Sequence, residues 1–302
     1  RITARYGSLA RVNARLPKAG EARVNLHLGA GEASEPTEPG LWINGNLRFL
    51  DLDTWRHQDW DLAAPETDDK HPLPFRQASL TFGELLILDR RLHDTHIRLQ
   101  PSGKGWSLQM AGKEMTGELV TVPEQRGQRL LANFKRLSLP DPENTVALTT
   151  PNGFGDGMRL TNVELNVQSL AWKKRELGEM RLRLSPVKTG FQVDHFQLSP
   201  PEGRLEGKGM VSDHSHRPSQ LQLKLSTQNL GKLLARLGYE DTIRGGEAEL
   251  NGTLGWMGSP DDFETRTLAG DLELRARKGQ FLKVDPGAGR LVRAGVLARR
   301  PA

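Results

Sequence analysis

The chain contains no cysteine. That excludes a disulfide framework, a thiolate zinc site and a cysteine nucleophile, and it fits an oxidising compartment where stray thiols are a liability. No apolar run approaches the roughly 20 residues that a membrane-crossing helix needs. Aromatic residues are few, with six Trp, nine Phe and only two Tyr, and most stand alone. The charge is not one-sided either: 42 basic against 37 acidic residues leaves a net +5. No run of five like charges occurs, and the basic clusters lack interleaved aromatics, so the electrostatic footprint of a nucleic-acid binder is missing. What remains is a 302-residue chain whose apolar share, once its 32 glycines are counted, is ordinary for a folded protein. The chain opens at Arg1 inside a strand-like pattern (RYGSLARVNARL) with no signal-like segment, and it reads as part of something longer, with any anchor or targeting signal outside it.

The dominant signal is alternation. SQLQLKL sets Leu221, Leu223 and Leu225 against Gln220, Gln222 and Lys224, and GEMRLRL sets Met180, Leu182 and Leu184 against Glu179, Arg181 and Arg183. EAELNGTLGW and LAGDLELRA behave alike, placing Leu250, Leu272 and Leu274 on the apolar phase. A period of two at this length predicts half-buried strands with one greasy and one wet face. Turn material such as PSGKG, PVKTG and SPPEG separates them, which predicts an antiparallel meander, since parallel neighbours need long crossovers. Two short helices interrupt the pattern. TQNLGKLLARLG carries Leu230, Leu233, Leu234 and Leu237 on one helical face, with Thr227 or Asn229 as its cap and Gly238 at its end. DLDTWRHQ reads as one or two turns capped by Asp51 or Asp53.

The chain also repeats. Shifted by 85 residues, SLTFGELLILDRRLHDTHIRLQPSGKGWSL lies over ELNVQSLAWKKRELGEMRLRLSPVKTGFQV without a gap. Leu85 meets Leu170, Arg98 meets Arg183 and Trp106 meets Phe191, as expected of an architecture that grows by adding similar units.

Nothing looks catalytic. The Gly-rich stretch KGQFLKVDPGAGRL (278–291) lacks the Lys-Ser/Thr pair of a nucleotide P-loop, fails the GxGxxG spacing and follows an alternating strand, so it reads as a turn. His93 and His96, three apart, fall on opposite faces of a regular strand, which makes them poor co-ligands. His214, His216 and Asp213 lie in a turn-like loop without a further partner, NGFGDGM (152–158, with Asp156) is a single glycine-rich turn, and Asp68-Asp69 and Asp261-Asp262 sit in loops beside proline. No metal, no cofactor and no enzyme activity is expected.

The run LSTQNLGKLLARLGYEDTIRGGEAELNGTLGWMGSPDDF, followed by LAGDLELRARKGQFLKVDPGAGRL, resembles the C-terminal region of the AsmA-like superfamily, and within it the YhdP-type proteins. The shared features are a short helix ending in LGY, a glycine pair, a strand running into W-x-G-S-P, and a strand and turn ending in PGAGRL. The resemblance covers about residues 76 to 291. It implies a long, twisted antiparallel sheet curved into a hydrophobic groove, in a periplasmic protein anchored in the inner membrane through segments absent from this chain. It also implies phospholipid acyl chains as cargo between inner and outer membranes, an outer-membrane partner of unknown identity, and no nucleic acid.

On this reading residues 1–75 end an upstream groove segment and 76–302 form the C-terminal groove region. The tail VRAGVLARRPA departs from the family pattern after about 291 and reads as a truncation or frame slip. The expected groove-facing residues are Leu182, Leu184, Leu221, Leu223, Leu225, Leu250, Leu272 and Leu274. Two rivals stand beside it. One is a scaffolding protein of envelope assembly that binds no lipid. The other is a carbohydrate-active β-solenoid enzyme, which would need clustered carboxylates and exposed aromatics along its strands.

Overall fold

A computed structural model describes residues 1–17, 20–56, 73–87, 89–140, 160–172, 175–212, 214, 216–258 and 268–282. The turn beyond Leu282, NGFGDGM, Asp68-Asp69, Asp213, Asp261-Asp262 and the tail after 291 lie outside the described residues. The chain divides by internal contacts into two compact units, Arg1–Pro123 with Pro140–Thr145, and Glu124–Leu139 with Val146–Ala302.

The first unit holds β1 (Ile2–Tyr6), β2 (Ala10–Arg15), β3 (Arg23–Gly29), β4 (Gly40–Asp51), α1 (Leu52–Arg56), β5 (Phe75–Ile87), β6 (Arg90–Ser102), β7 (Gly105–Ala111) and β8 (Met115–Glu124). The second holds β9 (Gly127–Leu139), β10 (Leu160–Trp172), β11 (Arg175–Val187), β12 (Gly190–Ser199), β13 (Gly203–Ser212), β14 (Pro218–Thr227), α2 (Leu230–Arg236), β15 (Ile243–Met257) and β16 (Ala269–Phe281). Within each unit the strands hydrogen-bond in chain order. The protein is mainly β with short helices, as the alternation predicts.

Most neighbouring strands run antiparallel, but β3 with β4, β4 with β5, and β9 with β10 are parallel. These are the junctions bridged by long connections, residues 30–39, 52–74 and 140–159, rather than by tight turns. A strand that runs in the same direction as its predecessor must first be carried back along the sheet. The first of these connections crosses the wet face, whereas the second starts with α1, whose Leu52 packs on the apolar side. Loop 30–39 lies over buried Asn13 and Asn25: Asn13 Nδ2 donates to the Ala33 carbonyl at 3.2 Å and Asn25 Nδ2 to the Ser34 carbonyl at 2.6 Å. Asn44 Nδ2 donates to Asn25 Oδ1 at 2.8 Å, and the Trp42 indole donates to the Glu38 carbonyl. The Asn13 and Asn25 amide nitrogens so find acceptors in the loop, and Asn25 Oδ1 finds its donor in Asn44.

The 85-residue repeat is built into the strands themselves. β5 and β10 start at 75 and 160, and β6 and β11 at 90 and 175, with equal lengths in each pair. Arg98 lies opposite Ser79 and Gln109, and Arg183 opposite Glu164 and His195, both exposed. Leu99 pairs with Ala78 and Leu108 as Leu184 pairs with Val163 and Val193. Each copy also interrupts its alternation at the same level. The ladder of β5 and β6 lacks the pair Gly83–Asp94, where Asp94 has φ +48°, and the ladder of β10 and β11 is irregular after Val167 and Met180. Beyond the interruption Leu85 and Leu170 are buried together with Phe82 and Val167, so the apolar phase steps by one residue and continues. The buried centre of the first unit is Phe82, Leu85 and Leu92, with Leu47, Leu50 and Leu52 packed on it; that of the second is Val193, Val211 and Trp256, with Leu184, Phe196 and Leu221.

Both helices start on side-chain caps. Asp51 caps α1, accepting from the Thr54 N–H at 2.8 Å and the Thr54 hydroxyl at 2.7 Å. Asp53 instead accepts from the Asp89 N–H. The Thr54 amide, ahead of its hydroxyl, lowers the Asp51 pKa below the ordinary carboxylate value. Asn229 caps α2 through Lys232 N–H at 3.0 Å, while Thr227 accepts from Asn229 N–H and donates to the Glu202 carbonyl. At its end Gly238 (φ +96°) donates to Ala235 and Tyr239 donates to Leu234, the paired bonds that close a helix on a left-handed glycine.

Candidate functional site

The eight leucines expected on one face of the second unit lie on one face, and the ladders join them. Residues directly opposite one another in neighbouring strands project to the same side, so register pairs can be followed across the sheet. From β9 to β16 one row reads Leu130, Val163, Leu184, Val193, Gly209, Leu221, Leu254 and Gly270. The next reads Ala132, Leu165, Leu182, Phe196, Gly207, Leu223, Gly252 and Leu272. A third reads Phe134, Val167, Met180, Leu198, Leu205, Leu225, Leu250 and Leu274. No charged or hydrogen-bonding side chain interrupts any of the three.

The residues between the second and third rows project to the other side and are polar throughout: Asn133, Asn166, Arg181, Gln197, Glu206, Lys224, Asn251 and Glu273. This side is indented by a concavity of about 1230 Å³ whose charged lining includes Glu202, Arg204, Lys232, Glu249, Arg275 and Arg277. Acids and bases interleave there, so it presents no patch of one sign.

The rows are closed at Leu130, Ala132, Phe134, Val167 and Val193, which are buried, and more open at the eight leucines. Leu182, Leu184, Leu221, Leu223, Leu225, Leu250 and Leu272 are intermediate in exposure, and Leu274 is 45% exposed. Among the described residues the only element of this unit outside the sheet is α2, seven residues long. It packs mainly on β15 and reaches β11. Two arginines hold it. Arg236 grips Glu202 with Nε and Nη2 at 2.8 and 2.7 Å and donates Nη1 to the Glu176 carbonyl at 2.9 Å. Arg175 donates to the Leu237 carbonyl at 2.8 Å. The Arg236 guanidinium lowers the Glu202 pKa, and Glu202 raises that of Arg236. Among the described residues no second sheet or longer helix lies against this apolar face, whereas an ordinary sheet buries such a face against another element.

The sequence-based set omitted several members of the same rows, including Phe134, Phe196 and Leu254. All carry the same signal, an apolar residue in phase on an alternating strand. Among the described residues the histidines gather no site. The strand holding His93 and His96 is not regular between them, because Asp94 stands at φ +48°, so the argument from opposite faces does not apply. Each has its own partner instead: His93 Nδ1 lies 2.9 Å from Glu114 Oε1, and His96 Nδ1 lies 3.1 Å from the Thr81 hydroxyl. His214 and His216 are exposed. Among the described residues no three His, Asp or Glu side chains come together as metal ligands would, and no helix is long and apolar enough to cross a membrane.

A repeated, mostly antiparallel sheet with three apolar rows on one face and polar residues on the other defines an amphipathic sheet protein. Comparison with protein families narrows this: the family profile described as "YhdP protein" matches residues 1–297, and the chain belongs to the YhdP family. No curated protein and no solved structure matches it.

Proposed function

We propose that the apolar face of β9 to β16 is a carrying surface for phospholipid acyl chains, by which the protein assists their passage across the periplasm between inner and outer membranes without chemistry. The observation that supports this is the continuity of three apolar rows over eight strands, with α2 the one element beside the sheet of this unit among the described residues. Moving an acyl chain into water costs about 0.8 kcal/mol per methylene, so an apolar track lowers the barrier to crossing an aqueous gap. The polar rows keep the opposite face wet. Membership in the YhdP family supports the same reading. The test is lipid extraction of the purified chain followed by mass spectrometry. Phospholipid at near-stoichiometric or higher ratio is the expected result; a lipid-free protein that also takes up no lipid from vesicles would leave a scaffolding role in its place.

A further inference from the structure

β16 pairs with β15 on one side, and among the described residues nothing pairs with the other. The strand is exposed along its described length apart from Leu272. Natural sheets guard such edges with proline, short strands or clustered like charge, because unpaired N–H and C=O groups recruit another strand. This edge has thirteen residues and no proline. Its regular part ends at Lys278, which stands at φ +56°.

The stretch DLELRAR, Asp271 to Arg277, is complementary to itself. Its wet phase reads acid, acid, base, base (Asp271, Glu273, Arg275, Arg277) and its apolar phase Leu272, Leu274, Ala276. Set antiparallel to a second copy about Leu274, Asp271 faces Arg277 and Glu273 faces Arg275, each twice, while Leu274 meets Leu274 and Leu272 meets Ala276. Centring the pairing on Glu273 puts glutamate opposite glutamate, and centring it on Arg275 puts arginine opposite arginine. Registers displaced by an odd number of residues set charges opposite leucines. Opposite charges directly across a ladder stabilise a strand pair and like charges destabilise it, so a single register is selected. The present partners do not prevent it: the Arg275–Glu273 contact at 2.9 Å joins two side chains about two-thirds exposed.

We propose that β16 is a self-association edge, pairing antiparallel with β16 of a second copy of this chain about Leu274 in a two-fold, isologous contact. The third apolar row then runs on into the second copy through Leu274, with Leu272 facing Ala276 beside it on the same side. A single strand pair buries less than the roughly 1,600 Å² of a standard stable interface, so the dimer is weak and concentration-dependent.

The test is sedimentation of the full chain over a hundredfold concentration range, with circular dichroism as the check on fold. The wild-type chain is expected to shift from monomer to dimer. Glu273→Lys and Arg275→Glu, each setting like charges opposite one another, should each weaken association at least tenfold. An equimolar mixture of the two should recover it. In the mixed pair the introduced lysine of one chain faces the introduced glutamate of the other, and the native Arg275 of the first faces the native Glu273 of the second. The double variant Glu273→Lys/Arg275→Glu should recover association alone. Arg275 lies opposite Glu249, so Arg275→Glu also sets like charges within its own sheet. If that variant loses its fold, Asp271→Lys/Glu273→Lys, facing Thr253 and Asn251, carries the test and must be monomeric with an unchanged spectrum. A wild-type chain that stays monomeric, charge variants that associate as well as it does, or folded single variants that do not combine would each overturn the proposal.

Discussion

Leu223→Asp separates a carrying surface from an ordinary core. Leu223 is half-buried, and its two cross-strand neighbours in the row are Gly207 and Gly252, so it supplies most of the bulk there. Losing half the burial of a leucine costs about 1 kcal/mol. A carboxylate that keeps part of its water adds about 1–2 kcal/mol, against several for one fully buried without a partner. At about 2–4 °C per kcal/mol for a unit of this size, the melting point should fall by roughly 5–10 °C with the β signature intact. Co-purified phospholipid, measured by mass spectrometry, should drop severalfold, because acyl chains meet a charge in the middle of the track. The control is Lys224→Asp on the wet face. It sets Asp opposite Glu206 and Asn251, costs at most about 1 kcal/mol and leaves lipid unchanged. Loss of the fold in Leu223→Asp would show a sealed core, and lipid retained at the parental level would show that this row carries none. Either result refutes the assignment.

Arg236→Ala should cost about 1.5–3 kcal/mol, the range for hydrogen bonds to a charged group, and speed amide exchange over α2. Because Glu202 is held below its ordinary pKa in the folded state, its contribution is full above about pH 4.3 and fades as pH falls toward the lowered value. The wild-type advantage over Arg236→Ala should therefore shrink on acidification below about pH 4; an advantage unchanged across that acidification would argue against the pair. Asp51→Ala removes the α1 cap and should cost about 1 kcal/mol at neutral pH, read as faster exchange at Thr54, whereas Asp51→Asn should retain much of it. Equal exchange in all three proteins would remove Asp51 from that role.

The strands were legible because period-two alternation is a local property, and α2 because its leucines keep helical spacing between a cap and a glycine. The leucines were assignable to a face for the same reason. Their cross-strand company was not: that Leu223 stands between two glycines depends on register, which turn geometry and long-range pairing set. The three parallel junctions depart from the expected meander because their connections, residues 30–39, 52–74 and 140–159, are long enough to carry the chain back along the sheet. The burial of Asn13 and Asn25 had no signal, since nothing local distinguishes an asparagine under a loop from one in water. The step in phase after Phe82 and Val167 could have been seen, because apolar residues there are separated by three instead of two, at the same place in both repeats.

The middle apolar row has an uneven profile. From β12 to β16 it reads Phe196, Gly207, Leu223, Gly252, Leu272, large and absent side chains in turn. With strands about 4.8 Å apart, the crests recur about every 9.6 Å. The trough at Gly207 is shallow: a side chain there would find Leu223 at 3.0 Å and Phe196 at 3.3 Å, already leaning in. An oily molecule resting here would feel a washboard of gentle pitch. It would be held against leaving sideways into water, yet its friction at Gly207 would be small, because Leu223 and Phe196 narrow that trough.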